Sequence, residues 1–126
     1  MTPSTIILAA RGLKVTRAGV TTLDVSEFSL AEGEILSLIG PNGAGKTTLL
    51  QALALLLKRS GGDVFFRGEK VASNHSALEY RRRITMVFQE PLLFDSTVYE
   101  NVASGLKIRG LGKAQIRKAA EENLER

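Results

Sequence analysis

Gly40-Pro41-Asn42-Gly43-Ala44-Gly45-Lys46-Thr47 is the stretch that decides the reading of this 126-residue chain. It fits G-x-x-x-x-G-K-[ST], and it stands between an apolar run, Ile35, Leu36, Leu38 and Ile39, and a helical pattern that starts near Lys46. Glycines let a backbone wrap closely round a small anion so that successive N–H groups point at phosphate oxygens. The helix that follows adds the positive end of its dipole. Lys46 is therefore expected to reach the β and γ phosphates of a nucleotide, the Thr47 hydroxyl to meet Mg2+, and Thr48 to support the α-phosphate side. A glycine-rich turn with a chance lysine would match the pattern as well, but it would not need a strand before it and a helix after it.

Upstream of the loop, residues 6–15 and 20–30 read as strands joined by a turn at Arg17 to Gly19, which makes an antiparallel start. Ala31 to Glu34 is a polar turn. The run from Ile35 to Ile39 has the length and branching of a strand buried on both faces. Downstream, Lys46 to Lys58 reads as a helix that is apolar almost all round, at Leu49, Leu50, Leu53, Leu56 and Leu57. Such a helix is expected to be buried, with Lys58 and Arg59 favourable at its end and Gly61 as its stop.

Asp63 to Phe66, a turn at Gly68, and Lys70 to Val71 look like a short hairpin. A polar loop holding His75 and a short helix near Ser76 to Arg82 follow, then a second buried strand at Ile84 to Phe88. Thr97 and Glu100 stand in capping-box spacing ahead of Val98, Val102 and Leu106, so a helix should begin there and end by Gly110. Lys113 to Arg126 reads as a last helix, with Ile116, Ala119, Ala120 and Leu124 on one face. It ends without a stop signal, as a cut chain would.

Composition narrows the chemistry. With no cysteine and a single histidine, His75, disulfides, thiolate metal sites and thiol nucleophiles are excluded. No apolar run approaches the roughly 20 residues of a spanning helix, and the N-terminus lacks the pattern of a secretory signal, so a cytoplasmic protein is expected. The formal charge of +4 is spread along the chain. Its one tight cluster, Arg81, Arg82 and Arg83, reads as a solvated helix end, and no nucleic-acid partner is expected.

GPNGAGKTTLL at 40–50, preceded by LDVSEFSLAEGEILSLI at 23–39 and followed by MVFQEPLLFDSTVYENV at 86–102, resembles the ATP-binding-cassette transporter ATPases over nearly the whole chain. The resemblance implies an α/β P-loop NTPase fold of the ABC type, an antiparallel β subdomain plus the start of a RecA-like parallel core. Residues 1–126 would be a partial ATP-binding domain, with the antiparallel and phosphate-loop portion at 1–89 and the Q-loop and start of a helical subdomain at 89–126. It also implies ATP and Mg2+ as ligands, bound by Gly40, Pro41, Asn42, Gly43, Ala44, Gly45, Lys46, Thr47 and Thr48. Gln89 would be the Q-loop glutamine that touches Mg2+ and the attacking water, giving Lys46 and Gln89 catalytic roles and Thr47 and Gln89 the metal.

On the same resemblance, residues 89–99, notably Glu90 to Phe94 and Tyr99, would face a transmembrane permease subunit. A second ATPase subunit would complete a dimer at the inner face of the membrane. The 86–102 block is most similar to importers of small oxyanions such as tungstate or molybdate. The family usually stacks an aromatic ring on adenine at the position of Arg17, and none is there; either the Arg17 guanidinium stacks instead, or Arg17 is a solvated turn residue.

No LSGGQ-type motif, no apolar strand ending in Asp-Glu and no later switch histidine are found. Ser60-Gly61-Gly62 mimics the first but reads as a helix C-cap. Leu92-Leu93-Phe94-Asp95 mimics the second, yet Pro91 precedes it and no glutamate follows. His75 comes before Gln89, the wrong order for the switch, and reads as a solvated loop residue. Little hydrolysis is expected from these residues alone, and the parallel-sheet strands are expected to lack partners. A non-catalytic nucleotide-binding module, a non-transport cassette ATPase and another phosphate-loop enzyme remain the alternatives.

Overall fold

The computed structural model describes residues 5–71, 74–90 and 93–125, and among these only the backbone at 74 and 75. Two compact units divide the chain, Met1–Met86 and Val87–Arg126.

In the first unit, β1 (Ile6–Arg17) and β2 (Val20–Ala31) form a long hairpin. Then follow helix α1 (Lys46–Leu53), strands β3 (Gly61–Phe66) and β4 (Glu69–Lys70), and helix α2 (Asn74–Arg81). The sheet has the order β2-β1-β3-β4 and is antiparallel throughout. Both hairpins close on two-residue turns with positive φ at each position, Ala18 (50°) with Gly19 (76°) and Arg67 (51°) with Gly68 (83°). This is the mirror-image turn whose twist suits neighbouring strands.

Alternation along the strands sends Ala10, Leu13, Val15, Leu23 and Val64 to one face. There they pack with Leu49, Ala52 and Leu53 of α1 and with Val71 and Tyr80. Each fully buried aliphatic side chain here is worth about 1.5–3 kcal/mol. The ladder between β1 and β3 skips between Arg11 and Lys14, where the backbones of Gly12 and Gly62 meet. A Cβ on Gly62, whose φ is 85°, would stand 2.3 Å from the Gly12 carbonyl oxygen.

Five expectations are corrected. Residues 35–39 form no strand, and Ile35 and Ile39 are each 95% exposed. Residues 84–88 form none either, and Val87 is 90% exposed. A doubly buried strand needs neighbours on both edges, and no other described strand pairs with either segment. Helix α1 stops at Leu53 instead of running to Lys58, and only Leu49, Ala52 and Leu53 are buried, while Leu50 and Leu56 are exposed. The sheet covers one side of the helix, so all-round greasiness does not become all-round burial. Gly61 and Gly62 are consequently not a helix cap: they open β3, where Gly62 is required by its approach to Gly12. His75 lies on α2 by its backbone rather than in a loop.

The second unit is a helical pair, α3 (Val98–Ile108) and α4 (Lys113–Leu124), closed round Ala103, Ile116 and Ala120. Thr97 caps α3 as its spacing predicts, its Oγ1 accepting from the Glu100 amide at 3.1 Å. The Gly112 amide donates to Gln115 Oε1 at 3.3 Å and so opens α4. Among the described residues no helix is long and apolar enough to cross a membrane.

Candidate functional site

The loop at 40–47 runs straight into α1, with Gly45 as the N-cap residue at φ 96°, in the left-handed region. Gly43 is left-handed too, at 86°. Two such residues two positions apart, the second of them at the helix start, curl the backbone in a way that side-chain-bearing residues resist. Nothing lies within 4 Å of a Cβ built on Gly43, so that glycine is set by backbone conformation and its free side faces open space. At Gly45 a Cβ would touch the Leu23 Cδ1 and the Thr22 carbonyl oxygen at 3.5 Å. The start of β2 therefore lies against the loop and braces it. Thr22 is fixed in turn by donating its hydroxyl to the Val15 carbonyl at 3.2 Å.

Inside the loop the Ala44 amide donates to the Pro41 carbonyl at 3.2 Å, and the first helical bond runs from Leu49 N–H to the Gly45 carbonyl at 2.8 Å. The N–H groups of Gly43, Gly45, Lys46, Thr47 and Thr48 meet no acceptor among the described residues. These are the orphan donors of a helix start together with those of its loop, a row suited to phosphate oxygens. The Lys46 ammonium folds back to donate to the Gly40 carbonyl, which holds it over the same loop. Thr47 is exposed and Thr48 half-buried on the first turn of α1. The donor set fits a polyphosphate, and the Thr47 hydroxyl is a suitable single oxygen ligand for Mg2+, which takes few protein ligands.

Arg17 ends β1 at the hairpin tip, opposite Val20, exposed and with no side-chain hydrogen bond or ion pair among the described residues. It belongs to the unit that carries the loop. Gln89 and Glu90 are exposed and belong to the other unit. Pro91 and Leu92 fall outside the described residues. Leu93 and Phe94, adjacent in sequence, and Val98 four positions on are exposed, with Tyr99 less so.

Three supporting residues escaped the sequence reading. Asn101 accepts the Phe94 amide on Oδ1 at 2.8 Å and donates Nδ2 to the carbonyls of Phe94 at 3.2 Å and Thr97 at 2.9 Å, tying loop 94–97 to α3. Its only sequence signal is an asparagine in the first turn of a capped helix. Tyr80 and Arg81 reach from α2 to the end of α1, donating to the Leu53 and Leu55 carbonyls at 2.5 and 2.9 Å. A tyrosine in the last turn of a short, mostly polar helix was the available hint. Burial pushes the Tyr80 hydroxyl up to about 12.

A family model described as ABC transporter matches residues 23–126. The tungstate uptake system ATP-binding protein TupC of Peptoclostridium acidaminophilum is 41% identical over 115 residues, which cover 91% of this chain and 51% of that protein. The phosphate import ATP-binding protein PstB 2 of Natronomonas pharaonis is 40% identical over 117 residues, covering 87% of this chain and 41% of its own length. Among solved structures, cbiO1 from Clostridium perfringens, part of the ABC transporter complex cbiONQ, superposes with a TM-score of 0.77 at 30% identity. That match covers 96% of this chain and 50% of the other. The chain thus spans about half the length of the relatives it matches or less. With the glycine-bounded loop and its lysine in place at the head of α1, these matches agree with the fold: the chain belongs to the ABC transporter family.

Proposed function

We propose that this chain grips MgATP through residues 40–48 and forms part of the ATP-driven subunit of an importer. The observation that carries the reading is the row of five acceptor-free N–H groups at the head of α1 with the Lys46 ammonium held over it. Backbone amides and Lys46 hold the triphosphate charge; Gly40, Pro41, Asn42 and Ala44 shape the turn, Thr47 holds Mg2+ and Thr48 supports the α phosphate. Bound Mg2+ neutralises charge on the β and γ phosphates. Arg17, exposed at a hairpin tip whose strand braces the loop, lies along the adenine. Gln89 contributes to the metal and the attacking water.

On this reading residues 1–89 are the antiparallel and phosphate-loop portion of the ATP-binding domain, and 89–126 the Q-loop with the start of the helical part. The exposed residues of 89–99 meet a membrane permease, a second ATPase subunit completes the assembly, and the protein works on the cytoplasmic side. Relatives named for tungstate, phosphate and "anion" import support an oxyanion as cargo, although relatives named for iron and glycerol phosphate are equally similar.

The decisive measurement is MgATP affinity in the complete gene product. Lys46→Ala should weaken binding by at least about tenfold, since charge-assisted hydrogen bonds are worth about 1.5–3 kcal/mol. Equal affinity in parent and variant, both folded, would sink the reading. Residues 1–126 alone should bind but show negligible phosphate release.

A further inference from the structure

Helix α1 is only two turns long, and its first turn carries Lys46 and Thr47. A helix this short has little stability of its own, so the position of its first turn depends on how its far end is held. That far end is a Schellman turn, in which Leu56 N–H bonds the Gln51 carbonyl at 2.9 Å and Leu55 N–H the Ala52 carbonyl at 3.1 Å. The residue that must turn left-handed, normally glycine, is Leu55, at φ 58°. A leucine there costs about 1–2 kcal/mol and persists only if its surroundings fix it. Two side chains from α2 do so. Tyr80, 2% exposed, donates to the last helical carbonyl, that of Leu53, and Arg81 donates to the carbonyl of Leu55 itself. The Tyr80 ring is seated edge-on against Phe66 at 5.5 Å, so the hydroxyl is presented from a fixed base.

We propose that Tyr80 and Arg81 are positioning residues for the nucleotide, holding the strained end of α1 and through it Lys46 and Thr47. The inference rests on the phosphate-loop reading above.

The test compares MgATP affinity with melting temperature in the complete gene product, for Tyr80→Phe, Arg81→Ala, their double variant, Gly62→Ala and Lys46→Ala. Gly62→Ala destabilises the same unit from the sheet, away from α1, and should leave affinity within twofold. The double variant should bind at least about fivefold more weakly, the expected size for hydrogen bonds lost at a carbonyl left unsatisfied. Adding Leu55→Gly, which removes the strain, should restore most of that loss, and Arg81→Lys should be milder than Arg81→Ala. Unchanged affinity in the double variant, or a loss that Gly62→Ala reproduces at equal melting temperature, overturns the proposal while a Lys46→Ala defect leaves the phosphate-loop reading standing. Parent-like binding by Lys46→Ala overturns both.

Discussion

Two residues show how differently a single side chain can be constrained. At Gly62 the limit is steric: a Cβ would sit 2.3 Å from a carbonyl oxygen of the neighbouring strand, and the backbone is left-handed besides. Gly62→Ala must therefore open the Gly12 bulge, and a loss of about 2–4 kcal/mol is expected in chemical denaturation, against about 1–2 kcal/mol for Gly19→Ala, which carries the backbone strain of a similar φ but has open space around it. Equal losses at the two positions would show that φ alone, not crowding, sets the cost. At Tyr80 the limit is solvation. Burial raises its hydroxyl from the ordinary 10 to about 12, so the folded state keeps a proton that the unfolded chain gives up. The folded form is accordingly favoured in full below pH 10, and that advantage drains away as pH rises from 10 to 12. The parent should lose melting temperature steeply across that window, and Tyr80→Phe should flatten this part of the profile while starting from a lower value at pH 8.

Among the elements, those with local causes were legible in the sequence and those with distant causes were not. The hairpin of β1 and β2 announced itself through alternation and the Ala18-Gly19 turn, and α3 through Thr97 and Glu100. The turn at 40–47 that leads into α1 was readable for the same reason, since its glycines serve backbone angles within the loop itself. The end of α1 was hidden because leucines continue past the reversal at Leu55, where side chains of α2, 26 and 27 positions on, decide the outcome. Asn101 was hidden likewise, its partners being backbone groups of a loop without pattern. That loop gives the clearest test at this scale. Asn101→Ala removes the acceptor of the Phe94 amide and the donor to the Phe94 and Thr97 carbonyls, and should cost about 1–2 kcal/mol and open 93–97 to proteolysis. Asn101→Asp keeps the acceptor but sets a carboxylate against those carbonyls, so it should be no better than alanine. If Asn101→Asp is as protected as the parent, the amide donors contribute nothing to the loop.

At the scale of the whole molecule, the described residues hold their apolar surface unevenly. The sheet face and α1 enclose an apolar core, yet Ile35, Ile39 and Val87 stand nearly bare and Leu36 and Leu38 are exposed. The backbone of 35–39 also has no ladder partner, so an apolar segment with open hydrogen-bonding groups leads directly into the phosphate loop. Such a segment is a template for pairing, either with the strands a longer chain would bring or with another copy of itself. Residues 1–126 in isolation should therefore bind a hydrophobic dye strongly, self-associate at micromolar concentration, and melt broadly. Ile39→Lys should reduce self-association several-fold without loss of the antiparallel core, because Ile39 lies outside the buried cluster. Wherever a longer chain supplies strand partners for 35–39, the same substitution should do harm, since a lysine would then enter an interior where an unpaired charge costs several kcal/mol. Opposite signs in the two settings would identify 35–39 as an interior strand in waiting. A lysine tolerated in both would mean that this surface is meant to face water, and that the phosphate loop needs no sheet behind it.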